Sequence, residues 1–429
     1  MLTRRMWTCK LLRDLSTFRD VWESLFLRLS TELPVPPVLD RPLSMYSGAD
    51  LECLLIRRIS SELRWAYTEN PPHDLRFKHG YLSEEDHMLY LDGGRDCRTI
   101  VDLELLYWGP MWNMAADMPE RSTGSPLTFH LCLTPSLSDL SPENAQPEGV
   151  DGIHIFHLTV QGARGEAKLV SQKIKHLRDS RSITEVYHVT LRGDYLVRCL
   201  ELEDEDAFRF EVYNWVLSND SVHYTAYIDG VHAETQDSDV LLMPDGKVVV
   251  FSTTNVSIYD VSNLQPIPFG AAEVPILQPY WTSTDLNFSD QLFFSKSCRN
   301  SYASRATAVL DTAVFGLTIP HNIRVKPSYE RLSNTVPEAG FACIGISKMY
   351  VYKEERGRGV IHTAGLLWQQ DEIYKSLLHL PPEQWLHRRY ELSYQWEDVP
   401  FFDESSNRIF SFAENSWIMI DFGNVYPKY

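Results

Sequence analysis

The stretch VLLMPDGKVVVFSTTNVSIYDV, Val240 to Val261, runs through an apolar segment, a tight polar turn, a second apolar segment and an aromatic–acidic close. A looser copy, LDGGRDCRTIVDLELLYWG, occupies Leu91 to Gly109, and another, FFDESSNRIFSFAENSWIMIDF, spans Phe401 to Phe422. A chain that repeats one antiparallel unit in this way is expected to build a radially repeated sheet, the β-propeller. The closes fall near Tyr107-Trp108, Ile155-Phe156, Tyr213-Asn214, Tyr259-Asp260, Phe315-Gly316, Tyr350 to Tyr352 and Ile420-Asp421, seven in all. They imply about seven blades. Their spacings are 48, 58, 46, 56, 36 and 69 residues, around a usual unit of roughly 40–50. An irregular β-sandwich or two smaller β domains would explain the alternation and the turns. Neither explains the recurrent turn followed by an aromatic close.

The start of the chain reads differently. Leu11, Leu15, Phe18, Trp22, Leu25 and Leu29 recur at helical spacing, and Leu12, Val21 and Phe26 widen the stripe. The run Pro34-Val35-Pro36-Pro37 should end that helix. A second helix is expected from Ser47, with Asp50 three residues on as an approximate capping box. Leu51, Leu55, Ile59 and Leu63 give it a matching stripe, and Asn70-Pro71-Pro72 closes it. The expected division is therefore a short helical region over residues 1–72 and a β-propeller over residues 73–429. Pro381-Pro382 followed by EQWLHRRY suggests inserted helices within residues 371–390, and Thr134 to Gly152 reads as a surface loop.

The 429 residues hold 40 Lys and Arg against 58 Asp and Glu, a formal charge of −18. Such a surface repels phosphate backbones, so general nucleic-acid binding is disfavoured. Hydrophobic content of 44% with 12% aromatics fits a well-buried globular protein. No apolar run is long enough to cross a bilayer, so no membrane contact is expected. Asp14 interrupts a signal-peptide reading of the first residues. Seven scattered cysteines without a CxxC pair suggest reduced thiols and an intracellular setting, cytoplasmic or nuclear.

TCKLLRDLSTFRDVWESLFLRL, Thr8 to Leu29, resembles the second half of an F-box, and with the repeats behind it the chain resembles the fungal F-box proteins that carry a degenerate, WD-like propeller. Such motifs normally open with a Leu-Pro-x-Glu helix. Met1 stands seven residues before Thr8, where the resembling segment begins, so that first half lies outside this sequence. The resemblance implies a substrate-recognition adaptor of a Skp–cullin–F-box ubiquitin ligase, whose propeller holds a protein client while the helices dock on the Skp-type adaptor. Tethering would then supply effective concentration in place of chemistry. Cys9, Lys10, Leu15, Val21 and Trp22 are the partner-binding residues it implies. The alternative is a stand-alone propeller scaffold.

No enzymatic role, cofactor or metal is expected, for want of a phosphate loop, a nucleophile elbow or a His-Glu-x-x-His helix. His73, His79 and His87 are spaced unlike common zinc ligands, and His154, His157 and His188 are expected as sheet histidines. The acidic run Glu201 to Asp206, Arg356 to Gly359 and Asp245-Gly246 all read as hairpin connections. Trp108, Trp215, Tyr259 and Trp417 are expected between blades.

Overall fold

The computed structural model describes residues 18–32, 37, 39, 43–67, 76–81, 112–117, 128–135, 152–161, 168–178, 185–202, 205–232, 239–243, 245–252, 255–283, 298–299, 303–310, 313–333, 341–346, 348–355, 358–366, 368, 388–392, 401–403, 408–413 and 416–421. Helix α1 (Arg19–Glu32) and helix α2 (Gly48–Tyr67) pack against each other, with a 3-10 turn at Leu43–Met45 between them in sequence. Trp22, Phe26 and Leu29 meet Tyr46, Leu51, Leu54 and Leu55 in its core. Arg19 pins the entry, its guanidinium donating to the carbonyls of Tyr46 and Leu43, each at 3.0 Å. At the start of α2 the expected box is present: Asp50 N–H donates to Ser47 Oγ at 3.2 Å, and Ser47 N–H donates to Asp50 Oδ2 at 3.1 Å.

Every other described element is a strand. Sheet I takes β2 (Trp112–Asp117), β3 (Thr128–Pro135), β4 (Ile153–Gln161) and β5 (Lys168–Leu177) in chain order. Sheet II takes β6 (Glu185–Arg192), β7 (Tyr195–Leu202), β8 (Glu205–Asn214) and β9 (Val222–His232). Sheet III takes β10 (Asp239–Met243), β11 (Lys247–Ser252), β12 (Asn255–Asp260) and β14 (Trp281–Ser283), while β13 (Pro266–Pro268) crosses back to the outer edge of sheet II. Sheet IV follows with β15 (Cys298–Arg299), β16 (Ala303–Leu310), β17 (Ala313–Pro320) and β18 (Ser328–Ser333). Sheet V holds β19 (Phe341–Ile344), β20 (Lys348–Glu355), β21 (Arg358–Gly365) and β22 (Arg388–Leu392). Sheet VI combines β23 (Phe401–Asp403), β24 (Arg408–Ala413) and β25 (Ser416–Asp421) with β1 (Arg76–Tyr81), which comes from the start of the β region. All ladders between these strands are antiparallel.

The packing between sheets rules out a two-layer sandwich. On β11, Val248 and Val250 pack toward Val197, Val212 and Ile228 of sheet II. The alternate residues Val249 and Phe251 pack toward Ala306, Leu317 and Ile319 of sheet IV. Side chains alternate across a strand, so an uninterrupted apolar run is what burial on both faces requires. Sheet II is likewise covered twice: Leu196 and Tyr213 face Ile153 and Ile155 of sheet I, while Val197 and Val212 face sheet III. Sheet IV continues the stack through Val314 to Met349 and Val351 of sheet V. First strands adjoin one another, β2 with β6, β6 with β10, and β19 with β23. Successive four-stranded sheets stacked face to face, with their first strands adjacent, form a propeller-type architecture.

Several details correct the expectations. Six sheets are formed by the described residues; the close at Tyr107-Trp108 lies outside them. Five of the other closes fall on the third strand of a sheet, but Tyr350 to Tyr352 fall on β20, the second strand of sheet V. Counting from the ends of the third strands gives steps of 53, 46, 60, 45 and 56 residues, so the apparent 36 and 69 came from that slip. Tyr350 and Tyr352, 2% and 5% exposed, are buried just as Tyr213 and Tyr259 are at true closes, 3% and 7%, so aromatic character alone could not separate second strand from third. Residues 388–390, expected at the end of an inserted helix, pair with β21 as strand β22; residues 369–387 lie outside the described part. The hairpin readings hold, with Met243 opposite Lys247, Leu202 opposite Glu205 and Glu355 opposite Arg358. Gly246 takes a φ of 71°, which a side chain would resist, and a Cβ there would also stand 3.0 Å from the Tyr195 ring.

Candidate functional site

Of the partner residues implied by the F-box resemblance, Cys9, Lys10 and Leu15 lie outside the described residues. The other two part company: Trp22 is 5% exposed and committed to the helical core, whereas Val21 is 47% exposed. Phe18 and Leu27 are also turned outward, at 58% and 54%.

The buried ionic groups serve the interior. Arg198 on β7 donates through Nε and Nη2 to Glu211 Oε2 on β8 at 3.2 and 2.5 Å, and Tyr213 donates its hydroxyl to Glu211 Oε1 at 2.7 Å. Thr134 of sheet I completes the group at 3.4 Å from Arg198 Nη1. Beside it the Cys132 thiol is pushed up to about 12 by burial, despite the opposing pull of Arg198, so it stays protonated and unreactive. The histidines of sheet I pair across the ladder: His154 stacks on His176 at 4.7 Å, and His130 lies 5.3 Å from His157. Among the described residues no three His, Cys, Asp or Glu side chains are grouped to hold a metal. His79 lies on β1 opposite Ile418, and His73 and His87 lie outside the described part.

A tryptophan fixes the same end of two sheets. Trp215 Nε1 donates to the Gly193 carbonyl in the β6–β7 turn at 2.9 Å. Trp368 Nε1 donates to the Ile346 carbonyl in the β19–β20 turn at 2.7 Å. The two pairs share a separation of 22 residues, a repeat that the aromatic closes alone did not reveal. In sheet II, Asp117 of sheet I adds a clamp, accepting from the Gly193 N–H at 2.7 Å.

Directly after Trp215 the chain makes the best-tied turn in sheet II. Leu217 N–H donates to Asn214 Oδ1 at 3.0 Å, Ser218 Oγ–H to the Asn214 carbonyl at 2.7 Å, and Tyr224 N–H to Ser218 Oγ at 2.9 Å. Lys175, reaching from β5, donates to the Val216 carbonyl at 3.0 Å. The turn thus holds Val216 and Leu217 outward, 43% and 54% exposed, on a backbone that cannot collapse over them. Beside it lies the strap that leaves sheet III. Its β13 segment pairs Ile267 with His223, Phe269 N–H donates to the Ser221 carbonyl at 2.9 Å, and residues 275–277 clasp Tyr227 through bonds of 2.8 and 2.7 Å. Phe269 and Ile276 project from that strap at 37% and 52% exposure.

Along this stretch of sequence charge is one-sided. From residue 210 to 295 the sequence has eleven acidic residues and one basic residue, Lys247. That lysine is 3% exposed and bound to Asp245. Asp220 stands beside the turn and Glu273 within the strap, both exposed. The field is felt by Tyr280, whose phenol is held above its ordinary range first by burial and then by the carboxylates of Asp245 and Asp260. Arg209, the cation just before the stretch, lies 4.8 Å over the Tyr227 ring.

No family model matches the chain, and no curated protein matches it. Among solved structures, one chain of the ctPRC2 complex is similar at 9% identity and a TM-score of 0.33, covering 72% of this chain and 93% of its own. The WD40 domain of Toxoplasma gondii coronin is similar at 9% identity and a TM-score of 0.27, covering 82% and 87%. Superpositions that loose carry no weight, and the fold assignment rests on the stacked sheets themselves. No helix among the described residues is long and apolar enough to cross a membrane.

Proposed function

We propose that this chain is a protein-interaction scaffold of propeller type, holding a protein client at the turn end and outer edge of sheet II. The observation that carries the reading is the turn Asn214–Ser218, which presents Val216 and Leu217 to solvent from a backbone fixed on both sides. Pre-ordered apolar side chains bind without the cost of ordering them first. The buried ionic groups are consistent with a non-catalytic role, since Arg198 and Glu211 neutralise each other inside the sheet stack. A photoreactive residue placed at position 217 should give a discrete protein adduct in cells, whereas one at the exposed Lys326 should not. Equal labelling from both positions would defeat this placement.

A finer reading, adaptor of a Skp–cullin–F-box ligase, is favoured by the apolar side chains that α1 leaves outside. Phe18, Val21 and Leu27 are exposed beside the helical core. On this reading Val21 and Phe18 are the docking side chains and Trp22 shapes the helix pair behind them. Purified Skp-type adaptor should be retained by the full chain, and Phe18→Asp with Val21→Asp should abolish retention while the β signal in circular dichroism is kept. Failure of the unmodified chain to retain the adaptor removes the ligase reading and leaves the scaffold intact.

A further inference from the structure

We infer that the outer edge of sheet II recognises a basic, apolar protein segment, one in which lysine or arginine side chains alternate with aliphatic ones; this rests on the scaffold reading above. Along this edge the exposed groups alternate in kind. Val216 and Leu217 come first, then Asp220, then Phe269, Glu273 and Ile276 on the strap. The apolar members supply area, and a partner that removes them from water gains about 25 cal/mol per Å². The acidic members, Asp220 and Glu273, sit between them; of the lysines nearby, Lys175 donates to the Val216 carbonyl and Lys247 is buried against Asp245. An acidic partner would meet like charge here and be rejected, so the edge selects by repulsion as well as attraction. The strap also makes the surface rigid. It is fastened at Val222 to Tyr224 and again at Tyr227, so Phe269 and Ile276 are held at fixed places along β9. Pro266 and Pro268 leave β13 with one ladder donor among its three residues, Ile267, so a bound segment is read through side chains and not by adding a further strand.

The test uses the full chain and three fluorescent ten-residue peptides: alternating Lys and Leu, alternating Glu and Leu, and alternating Lys and Ser. Anisotropy at low salt should show the Lys–Leu peptide binding at least tenfold tighter than either of the others. Leu217→Ser with Phe269→Ser should weaken it at least fivefold, and Asp220→Lys with Glu273→Lys should do the same while removing most of the salt dependence. All four positions are exposed, so thermal melts of both variants should match the parent. Equal binding of the Lys–Ser peptide would reduce the effect to bulk charge and overturn the inference. So would binding that ignores both pairs of substitutions, or no peptide binding at all. If the inference fails in this way while the adduct at position 217 still forms, the scaffold reading survives with a different client chemistry; loss of both removes the scaffold placement too.

Discussion

Arg198 has no exposed surface, and its charge is tolerated only because Glu211, Tyr213 and Thr134 close around it. Removing one partner of such a pair strands the other charge in the interior, which costs about 3–5 kcal/mol. Arg198→Met should therefore lower the urea midpoint sharply. Arg198→Met combined with Glu211→Leu should recover most of the loss, and a double variant no better than the single one would show that the pair is not the source of the cost. His130 offers a second residue-scale test. Burial lowers its basicity, His157 lowers it further and Asp194 opposes them. The folded chain thus binds fewer protons than the unfolded chain below the ordinary histidine value of about 6.5, and stability falls as pH drops through that window. Urea midpoints at pH 7.5 and 5.5 should differ less for His130→Gln than for the parent.

At the scale of elements, the strap between β12 and β14 settles how sheet II ends. An outer strand with a free row of donors and acceptors invites pairing with another chain. Here β13 covers part of β9, and its two prolines cannot pass the ladder onward. Pro266→Val with Pro268→Val restores those donors on a strand whose outer side faces solvent. Concentration-dependent self-association is expected, seen as a rising sedimentation coefficient, and a variant that stays at the parent's value would show that the prolines do not guard the edge. The turn glycines and the two Trp-to-turn bonds act at the same scale, fixing where one strand hands over to the next.

For the whole molecule, the pairing of β1 with β25 joins the start of the β region to its end. The six residue pairs from Arg76–Asp421 to Tyr81–Ser416 give sheet VI its fourth strand. A truncation that begins at residue 73 keeps this pairing, and one that begins at residue 82 loses it. Hydrogen exchange should show the β25 amides that face β1 becoming fast in the shorter chain alone, with a melting temperature several degrees lower. Matching exchange in the two truncations would mean that the closure does not hold the last sheet.

Much of this arrangement was already written in local chemistry. The Ser47–Asp50 box, the Asp245-Gly246 turn and the double-sided apolar run Val248 to Phe251 each act over a few residues, so the sequence by itself determined the helix start, the hairpins and the propeller grammar. The structure adds that the uninterrupted run in β11 is buried on both faces, since a strand open to water on one side would need polar residues at every second place. What lay beyond reach was the choice among distant partners of similar chemistry. Tyr350 and Tyr352 look like a repeat close, yet the pairing of β20 between β19 and β21 puts them on the second strand of sheet V. Trp22 reads equally well as an anchor or as core until α2 closes over it and leaves Val21 outside. The tertiary structure alone decided that β1 completes the last sheet and that the strap returns to β9. Such pairings depend on how the stacked sheets bring remote edges together, and no short-range periodicity encodes that distance.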